Sequence, residues 1–408
     1  MMQKHIELEA AIAMMQTLQV SPEVEVISLE QAVDRVLAQD IYAAFPMPSF
    51  DKSPFDGFAF CASDVPGTLE ITNTIAAGAE TLPVFHRGTA VRIFTGAPVP
   101  NGADVILKFE DTVFDKNSVT IETAVKAGTN VIRAGEDYAS GSLLLKKGQR
   151  LTPPRLGVIA SQGMDQITVF KKPNVTILDT GTELCALGKA KKPYEIYNSS
   201  YYALRGYLQR MGFEVNSPEI LSDDPEAILQ AVQAQMNSCA DLVITTGGAS
   251  VGDYDYALST AERIGAEILF WKVNIKPGGA LLVSKKTGKK QDKLFLGLSG
   301  NPAAAIMGLL LVLQPYLRAM TGETTGNQRL RLPIFQDMPK TSSATRLLRG
   351  HLRIAEGLVY FEENVGRGNG NMTSFQNCSL IAAIPGHFGP IKAGTMVEVF
   401  QLPEDLCY

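Results

Sequence analysis

The 408-residue sequence has few cysteines, and their arrangement does not suggest a metal or disulfide framework. The five are scattered, with no C-x-x-C pair and no histidine nearby at metal-ligand spacing; they are Cys61, Cys185, Cys239, Cys378 and Cys407. This argues against structural zinc and favours a reducing compartment. We therefore expect a cytoplasmic protein.

The sequence also lacks a strong charge excess and a membrane-length apolar run. A net charge of -5 gives no basic surface for nucleic acid. The N-terminal stretch has Glu7 and Glu9 within its apolar residues and no small-residue cleavage site, so it does not resemble a signal peptide. The longest apolar run, AAAIMGLLLVLQPYL, is interpreted as too short for a bilayer and predicts a buried helix. Neither nucleic acid nor membrane is expected as a partner.

The N-terminal part of the chain mixes helical and strand patterns. Residues 5–18 have helical apolar spacing, and SLEQAVDRVL has Ser28 and Gln31 three positions apart, a capping-box spacing that predicts a second helix. PMPSFDKSP predicts a linker. Short β-like runs between Phe58 and Asn130 predict a small β domain, and LTPPRLGVIASQG predicts another helix with Pro154 in its first turn.

From Pro173 onward, apolar strands alternate with helical segments, which predicts an α/β domain with a mostly parallel sheet. After Gly322 the chain returns to short alternating runs, which predict a C-terminal β domain or barrel. The predicted boundaries are residues 1–45 with 138–172 for a split helical and strand domain, 46–137 for an inserted β domain, 173–325 for the α/β domain and 326–408 for the barrel.

Three predicted strands of the α/β part end in small-residue loops, LDTGTEL, TTGGASVGD and GLSGNP. Loops at the carboxyl ends of parallel strands converge at one edge of a sheet, where ligands bind. Glycine lets the backbone approach a ligand, and a helix N-terminus favours an anion. A single such loop is more often a tight turn, but three together predict one anion-binding site.

Acidic side chains cluster in or near these loops: Glu183, Asp223, Asp224, Asp253 and Asp255. They would repel an anion unless a cation intervenes, and Mg²⁺ binds one or two carboxylates together with substrate phosphate. The pattern predicts a magnesium-dependent reaction at a phosphate ester or anhydride. The alternative for Asp223 or Asp224 is a helix cap before Pro225.

Positive charge is predicted to come from Lys272 and Lys276 in WKVNIKPGG, with a solvated turn as the alternative. The cluster SKKTGKK is more typical of an exposed hairpin tip.

Residues 248–252 also match the G-x-S-x-G elbow of serine hydrolases. An esterase would use Ser250 with Asp253 or Asp255 and with His351 or His387. The elbow should be followed directly by a long helix, whereas GDYDYAL is acidic and turn-like. We therefore interpret Ser250 as a donor or cap in a phosphate-binding loop.

Taken together, TTGGASVGDYDY, KPGG, LSGNPAAA, SPFDGFAF, FTGAPVPNGADVILKFEDT and RAGEDY resemble the molybdopterin molybdenumtransferase family, which includes MoeA and the E domain of gephyrin. The resemblance covers essentially the whole chain. It implies a homodimer of four-domain subunits that shares its active sites. The implied reaction takes adenylylated molybdopterin and molybdate, cleaves the phosphoanhydride with Mg²⁺ and releases AMP. The molybdopterin adenylyltransferase is a further candidate partner.

The resemblance also implies roles for individual residues. The predicted catalytic residues are Asp56, Thr95, Glu183, Asp223 and Asp255, the last three also as metal ligands. The predicted substrate-binding residues are Gly247, Gly248, Ser250, Gly252, Asp253, Lys272, Lys276, Asn301, Pro302, Arg349 and Ser374. Asp56 and Thr95 are expected to complete the site of the opposite subunit, with turn stabilisation as the alternative.

Several positions depart from the family pattern. Gly279 stands where a second lysine is usual, Ser299 where a proline is usual, and Ala304 where a hydroxyl is usual. DTGTEL replaces STGDEL, so Thr182 stands where an acid is usual, and the usual asparagine near Ser200 is absent. The pterin half of the site is thus retained and the oxyanion half altered. A non-catalytic molybdopterin-binding or protein-binding scaffold remains the alternative function.

Overall fold

The computed structural model describes residues 3–217, 219–248, 256–288, 292–324, 326–364 and 371–403. The helices are α1 (Leu8–Thr17), α2 (Pro153–Ala160), α3 (Ser199–Arg210), α4 (Pro225–Met236), α5 (Tyr256–Arg263), α6 (Pro302–Met307) and α7 (Gln314–Met320). The strands are β1 (Gln3–Ile6), β2 (Val24–Ser28), β3 (Ile41–Tyr42), β4 (Gly57–Phe60), β5 (Gly67–Ile75), β6 (Thr89–Ile93), β7 (Val105–Lys108), β8 (Val113–Phe114), β9 (Ser118–Ile121), β10 (Leu143–Leu145), β11 (Gln166–Phe170), β12 (Asn174–Thr180), β13 (Leu184–Cys185), β14 (Ile196–Tyr197), β15 (Glu214–Val215), β16 (Glu219–Leu221), β17 (Leu242–Thr246), β18 (Glu267–Val273), β19 (Ile275–Lys276), β20 (Leu281–Lys286), β21 (Lys293–Leu298), β22 (Gln328–Pro333), β23 (Thr345–Ala355), β24 (Leu358–Glu363), β25 (Leu380–Ile384) and β26 (Met396–Gln401).

The chain forms two compact units. The first, here called the α/β unit, contains residues 1–39, 148–152 and 166–408, and the second, the inserted unit, contains residues 40–147 and 153–165. The finer division into four domains stays a prediction.

An eight-stranded sheet organises the α/β unit, in the order β1, β18, β20, β21, β17, β12, β15, with β16 also beside β12. Strands β12, β17 and β21 pair in parallel, with Ile177 beside Ile244 and Ile244 beside Leu296. β20 runs antiparallel because it forms a hairpin with β21. The mostly parallel sheet is confirmed. The first three residues of the SKKTGKK cluster end β20, and Lys289 and Lys290 lie outside the described residues.

Helices cover both faces of this sheet, because successive apolar residues of its strands point to opposite sides. Ile177, Ile244 and Leu296 pack with residues of α1, α3 and α6 in one core cluster. The adjacent Val243 and Phe295 pack with residues of α4 and α5 in another. This two-sided burial explains why the strands read as continuous apolar runs.

The long apolar segment is a buried helix, as predicted, but the expectation that it is too short for a bilayer was wrong. Pro302–Met320 is one continuous 19-residue helix, with a π-type segment Gly308–Leu313 between α6 and α7. Its length and mean hydropathy of 1.5 would suit a bilayer, but 89% of its apolar window is buried inside the protein. Burial of this kind is typical of a core helix rather than a membrane span.

The C-terminal strands form a closed sheet that confirms the predicted barrel. β22, β26, β25, β23 and β24 are neighbours in that order. Ile334, just after β22, pairs with Phe361 of β24 and closes the circle. Both side chains are fully buried in the barrel core with Val399.

The second predicted helix, SLEQAVDRVL, was wrong. The segment contains a 3₁₀ turn, Leu29–Gln31, and the Ser28 side chain makes no capping hydrogen bond. The preceding residues are β2, which pairs with β11, and the Leu37 amide donates to the Gln149 carbonyl. The backbone groups that would form hydrogen bonds within a helix bond instead to distant parts of the chain. Strand pairing therefore overrides the helical pattern of the local sequence.

The inserted unit contains a six-stranded sheet in the order β7, β4, β6, β5, β9, β8, which confirms the predicted β domain. Strand β4, between β7 and β6, requires glycine at its first position, because a Cβ on Gly57 would lie 1.9 Å from the Leu107 carbonyl oxygen. Phe58 and Phe60 of the same strand are fully buried. Helix α2 begins at Pro153 and includes Pro154 in its first turn, as predicted.

Candidate functional site

A cavity of about 490 Å³ opens at the carboxyl ends of β12, β17 and β21 in the α/β unit. Its walls are residues 180–184 after β12, residues 246–248 at the end of β17, and Gly300 after β21, together with Ser200 and Asp223. The three glycine loops therefore converge as the sequence predicted, because parallel strands bring their carboxyl ends to one edge. The cavity is the candidate functional site.

Two glycines at the end of β17 have backbone conformations that residues with a side chain rarely adopt. Gly247 has φ of 87° and Gly248 has φ of 60°. A Cβ on Gly247 would lie 2.5 Å from the Thr180 carbonyl oxygen and 2.6 Å from the Thr180 Oγ1. Only glycine lets this loop pass so close to the end of β12, and the backbone itself then forms the cavity wall.

The two aspartates before α4 have different partners. Asp224 accepts a hydrogen bond from the Glu226 amide and caps α4. The Oδ2 of Asp223 accepts from the Thr182 amide at 2.9 Å and from the Thr182 hydroxyl at 3.1 Å. The capping alternative thus applies to Asp224, while Asp223 lines the cavity.

Thr182 takes the position where the family pattern has an acid, and its hydroxyl orients Asp223 instead. A single threonine supplies two donors to one carboxylate oxygen. The Oδ1 of Asp223 has no hydrogen-bond partner within the described ranges. One oxygen of Asp223 therefore fixes the side chain while the other remains available to a ligand.

Glu183 is exposed and lines the same cavity. Its carboxylate lies against Gly181, where an added Cβ would approach the Glu183 Oε2 to 2.6 Å. The main chain of Glu183 accepts a hydrogen bond from the Ile196 amide, which ties the loop to β14. Glu183 and Asp223 thus present two carboxylates to one cavity.

These two carboxylates fit a magnesium ion that takes its remaining ligands from substrate and water. Across the residues that the structure describes, no three His, Cys, Asp or Glu side chains are close enough together to form a metal site. Mg²⁺ keeps several waters and needs one or two carboxylates plus phosphate, so two protein ligands are chemically sufficient.

Asp179 is a buried carboxyl behind the cavity that the sequence analysis missed. It has no exposed surface, and burial raises the pKa of Asp179 against the opposing hydrogen bonds from Thr246 and Asn198. An acid at the end of the apolar run NVTILDT was the available signal, because a buried acid requires specific partners. Thr180, Ser200, Thr246 and Gly300 also contribute to the cavity wall without having been predicted.

The predicted basic residues Lys272 and Lys276 lie on β18 and β19, between β17 and β21 in the sequence, and do not line the cavity. Lys272 in β18 is buried, has φ of 69°, and places its ammonium 4.2 Å from the Trp271 ring centre. A lysine in the left-handed region is uncommon and marks a locally constrained backbone. Lys276 in β19 is exposed and pairs with Arg346 of β23.

Arg349 in barrel strand β23 and Ser374 in the 3₁₀ turn Met372–Phe375 are both buried. The Arg349 guanidinium stacks 5.2 Å from the Phe375 ring, next in sequence to Ser374. Burial lowers the pKa of Arg349 from its ordinary value, opposed by the nearby Cys378 and Glu363. The structure therefore brings Arg349 near the Ser374 segment but does not include either residue in the cavity wall.

Position 279 does not accommodate a side chain in this backbone. A Cβ on Gly279 would lie 2.7 Å from the carbonyl oxygens of both Val273 and Ile275. The turn is held by a hydrogen bond from the Val273 amide to the Gly279 carbonyl. A lysine here would require the turn to open, so the loss of this lysine is built into the local fold.

The GLSGNP loop leads directly into the buried helix. The Oδ1 of Asn301 accepts hydrogen bonds from the Ala303 and Ala304 amides and caps α6, and Pro302 occupies its first turn. Ala304 is buried in that turn. Asn301 and Pro302 thus have a structural role beside the cavity, and their predicted contact with substrate stays a prediction.

Asp56 and Thr95 lie together in the inserted unit. Asp56 precedes β4 and Thr95 follows β6, and these strands pair antiparallel with Gly57 opposite Ile93. The Oδ1 of Asp56 accepts from the Thr95 amide at 2.8 Å and the Thr95 hydroxyl at 2.7 Å. The Thr95 hydroxyl and amide lower the pKa of Asp56, which is exposed and ionised.

Four predicted site residues, Ser250, Gly252, Asp253 and Asp255, lie outside the described residues. The described chain resumes at Tyr256, where α5 begins. Of the histidines considered for an esterase, His351 is engaged by Asn364 at 2.7 Å and Glu362 at 3.3 Å. These contacts of His351 give the esterase no support.

Two family profiles match the chain in order. Residues 6–163 match the MoeA N-terminal region, domains I and II, and residues 176–319 match a probable molybdopterin binding domain. The chain is 32% identical over 387 residues to a molybdopterin molybdenumtransferase of Staphylococcus aureus strain MRSA252, covering 93% of this chain and 91% of that protein. It is 31% identical over 382 residues to one from Staphylococcus epidermidis strain ATCC 12228, covering 91% and 90%.

Solved structures give the same result. A molybdopterin biosynthesis MoeA protein from Pyrococcus horikosii superposes with a TM-score of 0.80 at 27% sequence identity, covering 97% of this chain and 99% of that chain. The similarity therefore extends over both compact units rather than over the α/β unit alone.

Proposed function

Since the chain belongs to the molybdopterin molybdenumtransferase family and is a transferase of molybdenum cofactor biosynthesis, we propose that it inserts molybdate into adenylylated molybdopterin with Mg²⁺ and releases AMP. The observation that carries this proposal is the cavity at the ends of β12, β17 and β21, with Glu183 and Asp223 beside the glycine wall of Gly247 and Gly248. A glycine wall suits phosphate oxygens, and the two carboxylates suit a cation that accompanies phosphate.

Each part of the cavity has a role in this reaction. The backbone at Gly247 and Gly248 approaches the pterin phosphate without steric obstruction, because neither residue has a side chain. Glu183 and Asp223 hold Mg²⁺, which neutralises charge on the phosphoanhydride when it is bound. Thr182 fixes Asp223 in the orientation needed for that contact. Asp255, which lies outside the described residues, is proposed as a further ligand.

Molybdate is proposed to bind near the basic residues that follow this loop, namely Lys272, Lys276 and Arg349, together with Ser374. The buried Arg349 has a delocalised charge that suits a tetrahedral oxyanion. Because Gly279 and Ala304 provide neither a cation nor a hydroxyl, we expect weaker molybdate affinity than in relatives with both groups.

The protein is proposed to act as a cytoplasmic homodimer in which Asp56 and Thr95 complete the site of the opposite subunit. Asp56 is exposed and ionised, and among the described residues its carboxylate accepts hydrogen bonds from Thr95 alone, which leaves its second oxygen available. The free cysteines Cys61, Cys185, Cys239 and Cys378 favour a reducing compartment.

The proposal is tested by incubating the purified protein with adenylylated molybdopterin, molybdate and Mg²⁺ and measuring AMP release. AMP should form only when both molybdate and Mg²⁺ are present, and Glu183→Gln should reduce its rate about a hundredfold because a metal ligand is lost. Hydrolysis without Mg²⁺, or a wild-type rate in Glu183→Gln, would contradict the proposal.

Sharing of sites is tested by co-expressing Asp56→Asn and Glu183→Gln subunits, each inactive alone. If Asp56 acts on the opposite subunit, mixed dimers contain one intact site and total activity should return to about a quarter of wild type, as expected for random pairing of a two-fold dimer. No recovery despite mixed-dimer formation would show that Asp56 and Glu183 act within one subunit.

A second candidate is a non-catalytic molybdopterin-binding scaffold, favoured by the backbone at Gly279, which excludes a lysine side chain. Tight binding of adenylylated molybdopterin without AMP release at any molybdate concentration would favour this alternative over the transferase.

A further inference from the structure

Asp179 is a buried carboxyl that the proposed reaction does not use. It lies near the carboxyl end of β12, directly opposite Thr246 of β17 in the sheet register. Its Oδ1 accepts from the Thr246 hydroxyl at 2.5 Å, and its Oδ2 accepts from the Asn198 Nδ2 at 2.8 Å. All three side chains are at most 2% exposed. One carboxyl group thus connects the ends of two strands with the start of α3.

Each connection leads directly to the cavity wall. Thr246 is followed by Gly247, whose backbone forms that wall, and Thr246 also accepts from the Thr180 hydroxyl through its carbonyl at 3.0 Å. Asn198 caps α3, and Ser200 in the first turn of that helix lines the cavity. The relative positions of these wall segments therefore depend on Asp179.

The capping role of Asn198 determines which chemical group can stand at position 179. The Asn198 Oδ1 accepts from the Tyr201 amide, so its Nδ2 is the atom that faces residue 179. Thr246 presents a second donor to the same side chain. Both neighbours thus present a donor to residue 179, and the carboxylate of Asp179 offers one acceptor oxygen to each.

We propose that Asp179 is a positioning residue that holds the glycine wall of β17 and the first turn of α3 at the spacing that binds the pterin phosphate. It acts through Thr246 and Asn198 and does not contact the substrate. The assignment of the phosphate rests on the proposed function. The hydrogen-bond requirement rests on the geometry alone.

A charge-swapped pair of variants isolates this role. Asp179→Asn offers one acceptor oxygen to two donors, so either the Asn198 amide or the Thr246 hydroxyl hydrogen is left without an acceptor. Asn198→Asp faces one carboxylate with another and removes the donor between them. In Asp179→Asn/Asn198→Asp, the side-chain amide introduced at position 179 donates to the carboxylate introduced at position 198, which still caps Tyr201. The amide oxygen at position 179 accepts from Thr246. The double variant restores every hydrogen bond with the same number of heavy atoms.

Hydrogen exchange measures the geometry without relying on the reaction. The amides of Tyr201 and of the Gly247 segment should exchange about tenfold faster or more in each single variant, because one buried hydrogen bond is lost. They should return to wild-type rates in the double variant. If the double variant exchanges as fast as the single variants, the proposed hydrogen-bond requirement is wrong.

Binding of molybdopterin, measured anaerobically by fluorescence, tests the positioning role. The Kd should rise about tenfold in each single variant and return to within about twofold of wild type in the double variant. Ser284→Ala is the control, because Ser284 is fully buried in β20 of the same sheet, bonds the Phe295 carbonyl and does not line the cavity. This control should lose thermal stability and keep the wild-type Kd.

The outcomes distinguish this inference from the proposed function. If the wild type released no AMP, the proposed transferase activity would be wrong. The exchange rates and Kd values of the variants would still support or contradict the role of Asp179. Restored exchange without restored binding would overturn the positioning role. If the single variants do not fold, Thr246→Val keeps the side-chain shape, removes one donor and should speed amide exchange of the Gly247 segment, whereas Thr246→Ser should not. Equal values for these two variants would also overturn it.

Discussion

The two compact units each contain an aspartate that accepts a hydrogen bond from a threonine hydroxyl, yet the two carboxyl groups behave in opposite ways. In the inserted unit, Thr95 donates to Asp56 at 2.7 Å on an exposed surface. In the α/β unit, Thr246 donates to Asp179 at 2.5 Å in a fully buried position. The pKa is lowered at Asp56 by the Thr95 hydrogen bonds and raised at Asp179 by burial.

Exposure to solvent, rather than the threonine hydrogen bond, therefore determines the direction of the pKa shift in such an Asp–Thr pair. Water solvates Asp56 already, so each added donor stabilises its ionised form further. At Asp179, the loss of water destabilises the ionised form more than the two hydrogen-bond donors stabilise it. An exposed, ionised carboxylate suits a role toward substrate, whereas a buried carboxyl group with every donor assigned suits a role within the framework.

The largest expected effect is on the rate of AMP release when Asp56 is replaced. Asp56→Asn should reduce the rate of AMP release about a hundredfold, because an ionised carboxylate is replaced by a neutral amide. Asp115→Asn is the matched control, since Asp115 is exposed in the same unit and its pKa is likewise lowered by hydrogen bonds, from the Asn117 and Ser118 amides. An equal loss in the control would show that the effect is not specific to Asp56.

The next effect concerns stability. Asp179→Ala should lower the free energy of unfolding by about 2 to 4 kcal/mol, because two buried donors lose their acceptor. Asp56→Ala should lower the urea midpoint of its own unit much less, because water replaces most of the lost contact. The measurement is urea denaturation followed by probes in each unit. A comparable loss of stability in both variants would remove the distinction between framework and surface.

A smaller effect is the pH dependence of stability, which should have opposite signs at the two aspartates. The folded pKa of Asp179 lies above the ordinary value of 3.8, so its contribution to stability is present below pH 3.8 and is lost as pH rises toward the folded pKa. The folded pKa of Asp56 lies below 3.8, so its contribution is present above pH 3.8 and is lost as pH falls through the folded pKa.

Urea denaturation of the wild type, Asp179→Asn and Asp56→Asn over this pH range checks the signs. Relative to Asp179→Asn, the wild type should become less stable as pH rises above 3.8. Relative to Asp56→Asn, it should become less stable as pH falls below 3.8. Slopes of the same sign would contradict the opposite roles of burial and hydrogen bonding.

The smallest expected effect is a change in the pKa of the aspartate, and it should have the same direction in the Asp56–Thr95 and Asp179–Thr246 pairs. Thr95→Val should raise the pKa of Asp56, and Thr246→Val should raise the pKa of Asp179 further, because each hydroxyl hydrogen-bonds the ionised form. Titration of the carboxyl carbons by NMR measures both values. A fall in either pKa would mean that the threonine stabilises the protonated acid.

Features that depend on local turns were predicted correctly from the sequence, whereas two that depend on distant segments of the chain were not. The glycine loops, α4 and the buried segment of α6 were predictable, because their glycines, caps and apolar runs act over a few residues. The predicted helix after Ser28 was wrong because β2 pairs with β11 more than a hundred residues away. Asp179 was missed because its partners, Asn198 and Thr246, come from distant segments.

The order of residues along the chain was enough to specify the alternating strands and helices, the convergence of three glycine loops and the resemblance to one transferase family. These depend on periodicity, turn residues and motif order, which are local properties of the chain. Tertiary packing determined that Asp223 bonds Thr182 and lines the cavity, that Gly279 excludes a side chain and that Asp179 is buried. Each of these depends on which atoms of other segments lie nearby, and burial by those atoms sets whether a carboxyl group binds a ligand or supports the fold.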